Sequence, residues 1–345
     1  MGAQRSLITR RRLLELGALI ALPAAVGCGK RDQASVLSGL VNEVVLGMAR
    51  DVRAESRSLH ATLRALSADP AQQQQRAAQA AFKRATVAWK RAYAFRTGPF
   101  IESEAFQRAV FWPTRATLID AVLADRAAID ARRVQEQGVD ARGLYALEYL
   151  LFDESNARAM SLPGDTHGER VRAYAFELSN NVLGYADRIQ RLLGDGRSYA
   201  QSFSSAGKQS VDTLVSQALD TLTVVLGKFA RIERARSEHL PLSFAVEGYY
   251  SACSLEIALA MLEGTKRLYL GGGSGGLSEL VAFASKSIDD HVRVAFGEAE
   301  QQLRAVGMPI EMAFDTQPAR FGSAVAAVTD LRHAIDVEMV SALAS

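Results

Sequence analysis

A single carboxylate in an otherwise apolar helical run is the feature of this sequence that most resembles chemistry. Arg142-Gly143-Leu144-Tyr145-Ala146-Leu147-Glu148-Tyr149-Leu150-Leu151-Phe152 opens on a glycine and carries one acidic side chain. Tyr145 and Glu148 stand three residues apart, so a helix puts them on one face, while Leu147, Leu150 and Leu151 line the other. Burying a carboxylate in such a setting is costly unless it is paired. Two chain breaks upstream each carry an arginine. Arg96-Thr97-Gly98-Pro99 is one; in Phe111-Trp112-Pro113-Thr114-Arg115 the proline ends a helix and presents Arg115 just past it. Glu148 then reads as a buried acceptor with Arg115 or another arginine as counter-charge. The plainer alternative leaves Glu148 in water or paired with Arg142.

Other chemistry is poorly supplied. Five scattered histidines, His60, His167, His239, His291 and His333, leave little for a histidine-built metal site. Asp289-Asp290-His291 has ligand-type residues, but beside Arg293 on a long helix it reads first as a solvated face. His167-Gly168-Glu169 reads as a helix start, with Asp165 or Thr166 as N-cap. The sequence contains no His-Glu-x-x-His and no Gly-x-Ser-x-Gly. Cys253 lies in an apolar helical stretch with no histidine nearby in sequence, so nucleophilic catalysis has no visible constellation. Gly271-Gly-Gly-Ser-Gly-Gly276 has neither a strand before it nor a Lys-Ser/Thr after it, and reads as a loop. No enzyme activity is expected.

The elements that must position these residues are helices. Leu37, Leu40, Val41, Val44, Val45, Met48, Val52, Leu59, Leu63 and Leu66 follow a three-four spacing that predicts one amphipathic helix, stopped by Asp69-Pro70. Similar patterns predict helices over 72–95, 117–132, 143–152, 169–193, 208–236, 251–270, 277–306 and 319–343. Alternating apolar and polar runs bounded by hairpin turns are absent, which predicts an all-α protein. The Gly194–Gly207 stretch between two long helices predicts a boundary near residue 200, giving an N-terminal bundle over 28–199 and a C-terminal bundle over 200–345.

The chain has 345 residues, 48% of them hydrophobic, which rules out general disorder. Forty basic against 38 acidic residues give a formal charge of +2, without the basic excess that nucleic-acid binding uses. The N-terminus reads as an address. Arg5 to Arg12 is basic, and Leu13 to Val26 is an apolar run too short for a comfortable membrane span. Thr9-Arg10-Arg11-Arg12-Leu13-Leu14 is similar to a twin-arginine export motif, with ordinary secretion as the alternative. Ala25-Val26-Gly27-Cys28 is similar to a bacterial lipobox. Residues 1–27 are therefore expected to be a signal peptide, and Cys28 to carry lipid that tethers the mature chain to a membrane on its periplasmic side, inner or outer undecided. Cys253 would then have no disulfide partner.

The segments Arg96-Thr-Gly-Pro, Phe111-Trp-Pro-Thr-Arg115 and Gly143-Leu-Tyr-Ala-Leu-Glu148, with Glu247-Gly-Tyr-Tyr-Ser251-Ala-Cys-Ser254-Leu-Glu-Ile, resemble in order the imelysin-like family of bacterial periplasmic lipoproteins, over Gln33 to Ser345. The resemblance implies two helical bundles related by an approximate internal repeat, a pocket between them, and a link to iron uptake. It also brings an old peptidase label. On this chain the implied pocket residues are Arg96, Trp112, Arg115, Tyr145, Glu148, Glu247, Ser251 and Ser254. The family's Gly-x-His-x-x-Glu motif has Tyr145 in the histidine position. A neutral phenol is a poor ligand where an imidazole is a good one. Iron or another divalent metal stays open as a cofactor, with Glu148 the weak candidate ligand. A binding or accessory lipoprotein, working on a small ligand or an iron-uptake partner protein, is expected ahead of a hydrolase or a purely structural envelope protein.

Overall fold

The computed structural model describes residues 32–152, 165–273 and 275–344. The expectations for residues 1–27 and Cys28 lie outside them. Helix α1 (Gln33–Leu40) runs through a π-helical turn, Val41–Val45, into α2 (Leu46–Ala68). The widened turn has a cause in the sequence. Buried positions repeat in steps of four, Leu37, Val41, Val45, Ala49, and each such step overshoots a straight α-helical turn by about 40°. A π-turn absorbs the drift and keeps the valines inside. The helix ends at Asp69, as the Asp-Pro pair predicts.

Helix α3 (Gln72–Ala92) ends three residues short of the expected Phe95. The expected helix over 117–132 is shorter, α4 (Ala116–Ala124), because the Asp125 carboxylate accepts from the Ala127 N–H at 3.2 Å and offers the backbone a turn instead. The Glu148 helix, α5 (Gly143–Phe152), has the expected ends. Helix α6 (Thr166–Leu193) starts on Asp165, whose carboxylate accepts from the His167 N–H at 3.0 Å. Beyond it run α7 (Arg197–Ser205), α8 (Lys208–Ser237), α9 (Ser254–Leu270), α10 (Leu277–Ala284), α11 (Lys286–Val306), α12 (Ile310–Thr316) and α13 (Pro318–His333). The long helix expected over 277–306 is broken at Ser285, whose extended backbone ends α10 and starts α11. A second π-turn, Ala334–Met339, carries the last expected helix onward.

All regular structure among the described residues is helical, apart from one isolated bridge between Gly272 and Gly275. None of those helices is long and apolar enough to cross a membrane. Helix α2 packs on α3 and α6, and α11 packs on α13. Helix α3 also packs on α9, which joins the first half of the chain to the second. Gly264 permits that crossing: a Cβ there would stand 2.0 Å from the Arg91 carbonyl oxygen. Helix α7 packs back on α1. The described residues from Gln33 onward form one compact unit with a shared apolar core.

Gly264→Ala is expected to cost about 1–3 kcal/mol by overpacking the α3–α9 contact. Gly297→Ala on α11, where a Cβ meets nothing within 4 Å, is expected to gain up to about 1 kcal/mol. Urea unfolding of both variants checks this, and equal effects would contradict the close crossing.

Candidate functional site

The backbone of α5 starts where only glycine fits. Gly143 has φ of 79°, and a Cβ there would lie 2.6 Å from the Ala109 carbonyl oxygen. That same carbonyl accepts from the Leu144 N–H at 2.7 Å. The helix is thereby fixed against the Arg108–Ala109 backbone, and Glu148, just over one turn along, is buried at 3% exposure.

Facing it is the loop Val246–Cys253. Gly248 has φ of 82° and Ala252 φ of 52°, a left-handed conformation that costs a non-glycine residue about 1 kcal/mol or more. The coil closes with the Cys253 N–H donating to the Gly248 carbonyl at 3.0 Å. It aims both donors of Ser251 at one carboxylate oxygen. The Ser251 N–H reaches Glu148 Oε1 at 3.0 Å and its hydroxyl at 2.5 Å. Cys253 Sγ lies 2.8 Å from that hydroxyl.

The same loop sends Glu247 the other way, between two buried lysines. Lys90 Nζ on α3 stands 2.5 Å from Glu247 Oε1, and Lys228 Nζ on α8 bonds Oε2. The Lys90 ammonium also lies 5.3 Å from the ring centres of Tyr93 and Tyr145. The buried Tyr145 hydroxyl lies close enough to Glu247 for that carboxylate to favour the protonated phenol.

The two glutamates titrate in opposite directions. Burial pushes Glu148 up to about 7 against the pull of the Ser251 donors, and the charges of Glu247 and Glu311 add to the rise. Burial would also raise Glu247, but Lys228 and Lys90 overcome it and hold that carboxyl far below the ordinary range. Burial raises the Tyr145 phenol and the Cys253 thiol, so both stay neutral near pH 7.

Trp112, Thr114, Tyr149, Phe244 and Tyr250 roof Glu148 and Tyr145 over a cavity of about 30 Å³, room for a water molecule or two. Tyr149 is anchored by its hydroxyl, 3.2 Å from both Asp120 oxygens. The Arg231 guanidinium sits 5.2 Å over the Trp112 ring.

Of the residues singled out in the sequence, Trp112, Tyr145, Glu148, Glu247 and Ser251 come together here. Ser254 is next door but turned away: its hydroxyl donates to Glu311 at 2.6 Å and accepts from the Ile310 N–H at 2.9 Å, fastening α9 to α12. Arg115 is not the counter-charge of Glu148. It stands at the solvent-facing start of α4, 70% exposed, and pairs with Asp140 at 3.2 Å. Arg96 lies 4.0 Å over the Tyr93 ring and lines a different cavity, with Gln217 and Asp220. Arg142 donates to the Gln135 carbonyl. Asp289, Asp290 and His291 take separate partners: Tyr269 with Arg293, Lys286, and Glu338 respectively.

Sequence reasoning missed Lys90 and Lys228. Lys228 had a legible signal, because it falls on the buried stripe Ala218, Thr221, Val225, Lys228, Ile232 of α8.

The imelysin family model, which carries a peptidase label, matches residues 45–337. The chain belongs to the imelysin family. An iron-regulated protein A precursor from Parabacteroides distasonis has a solved structure that matches this fold with TM-score 0.73 at 18% identity, over 91% of this chain and 96% of that one. An imelysin-like protein from Psychrobacter arcticum 273-4 matches with TM-score 0.71 at 14% identity, over 90% of this chain and 95% of that one. At such identities the likeness is one of fold. No curated protein matches the sequence.

A resident iron or zinc does not fit the donor set. Glu247 is already neutralised by two ammonium groups, Glu148 is held by Ser251, and the phenol and thiol beside them stay protonated. Among the described residues no three histidine, cysteine or acidic side chains gather as metal ligands do.

The titration of Glu148 has a stability consequence. Its pKa in the folded chain, about 7, exceeds the ordinary 4.5, so the stability from its protonated form is complete below pH 4.5 and lost as pH rises through 7. Glu148→Gln keeps an acceptor for Ser251 and removes the titration. The variant is expected to gain on the wild type by about 3 kcal/mol between pH 5 and 8. Urea midpoints across that range check this; parallel pH profiles would contradict it.

Proposed function

We propose that this imelysin-family chain is a binding or accessory protein of the bacterial cell envelope, connected with iron uptake and anchored by lipid on Cys28. The observation that carries the reading is the buried Glu148–Ser251 contact beside the Lys90–Glu247–Lys228 cluster, under an aromatic roof at the meeting of the two halves. Polar groups converging under aromatic side chains suit recognition of a small ligand or a partner segment. The exposed Phe244 on the short turn Leu242–Ala245 is the part of the roof that would move to admit it.

Hydrolysis is the weaker reading. The Ser251 hydroxyl bonds Glu148, but Glu148 also takes the Ser251 N–H, a positioning arrangement rather than an activated nucleophile. The Cys253 thiol is raised, the reverse of what a thiolate nucleophile needs. The iron connection rests on family membership and on the name of the Parabacteroides relative. The envelope location rests on the signal-like N-terminus and the Cys28 lipobox.

Radio-iron uptake in an iron-limited deletion strain tests this. Uptake is expected to fall on deletion, to return with the wild-type gene, and to stay low when the gene carries the double change Lys90→Met, Lys228→Met. Uptake unaffected by deletion would overturn the iron reading. Cys28→Ser is expected to move the protein from the membrane to the soluble fraction, and sedimentation with membranes after a high-salt wash would overturn the lipid anchor.

A further inference from the structure

A second cavity, of about 460 Å³, lies apart from the Glu148 site and is lined by arginines and amides. Its lining includes Arg108, Arg142, Arg188, Asn180, Asn181 and Tyr185, with Glu177 as the one carboxylate. Two of the guanidinium groups are accessible. Arg108 rests on Glu104 at 2.8 Å, and Arg188 on the Glu102 carbonyl at 3.5 Å. Arg142 differs, because the whole residue is buried at 5% exposure. One terminal nitrogen donates to the Gln135 carbonyl at 3.1 Å, but its Nε, also buried, has no acceptor. A buried guanidinium N–H without an acceptor is a costly arrangement, and an oxyanion would remove that cost by drawing the guanidinium toward the cavity. The cavity also holds the opposite deficit. Asn181 Oδ1 is buried without a donor, while Glu177 has one in Asn180 at 3.2 Å.

We propose that this cavity binds a small, multiply charged oxyanion that also bears a hydroxyl group. The anionic oxygens would lie against Arg142 and draw in Arg188 and Arg108, whose present partners are weak or solvent-exposed. The hydroxyl would donate to Asn181 Oδ1 once the amide turns into the cavity. Three guanidinium groups against Glu177 and the Glu104 partner of Arg108 leave the lining positive. The volume suits a ligand of metabolite size. Hydroxycarboxylates and phosphorylated polyols share this chemistry. The proposal is independent of the reading of the Glu148 site, so either can fail alone.

Calorimetric titration of the purified chain with citrate, and separately with glycerol 3-phosphate, tests it. Saturable binding of either is expected, and which one binds identifies the anion class. Arg142→Gln and Arg188→Gln are each expected to weaken it by about tenfold or more. Arg188 is exposed, so its variant tests the site even if Arg142→Gln fails to fold. For citrate, tricarballylate, which lacks the hydroxyl, is expected to bind more weakly. No saturable heat with either probe, or unchanged affinity in folded Arg188→Gln, would overturn the proposal.

Discussion

Glu247 sits between two buried ammonium groups, and the rest of the site depends on that contact. Lys90 comes from α3, Lys228 from α8, and Glu247 from the loop ahead of α9, so the cluster ties three segments from both halves of the chain. Removing Glu247 would leave two buried ammonium groups uncompensated, at about 3–5 kcal/mol, although the intact set adds little to net stability. Its effect is to specify one arrangement of the loop. With Glu247 fixed on one side, the coil through Gly248 and Ala252 can turn Ser251 onto Glu148 on the other.

That arrangement explains the chemistry of the site. Two glutamates lie in one buried region with opposite tendencies: Glu247 is kept charged by cations, and Glu148 is raised toward neutrality by burial and by Glu247's own charge. The two lysines supply the positive charge that keeps Glu247 ionised. Tyr145 turns its ring to the Lys90 ammonium, and its phenol stays neutral.

The fold was legible because its helices carry long apolar stripes with clear punctuation. Asp69-Pro70 stops α2 and Gly143 starts α5, each for a local reason visible in the sequence. Glu148, Ser251 and Glu247 were also legible, through motif resemblance. Their pairing was not. Spacing shows that the chain breaks at Pro113, but not which way Arg115 turns afterwards, and it turns to Asp140. Lys90 escaped notice because a lysine beside the stripe of an amphipathic helix ordinarily reaches water along its stem. Its burial against Glu247 and the Tyr145 ring is a tertiary contact that spacing along one helix does not show.

A carbon-13 NMR titration of the glutamate carboxyls, with Glu148→Gln and Glu247→Gln for assignment, tests the central claim directly. The account predicts one carboxyl titrating near pH 7 that is lost in Glu148→Gln, and a second, lost in Glu247→Gln, that stays ionised to the acid limit of the folded chain. Finding both groups in the ordinary range near 4.5 would contradict it, because it would mean that water reaches both and the buried charge cluster does not exist.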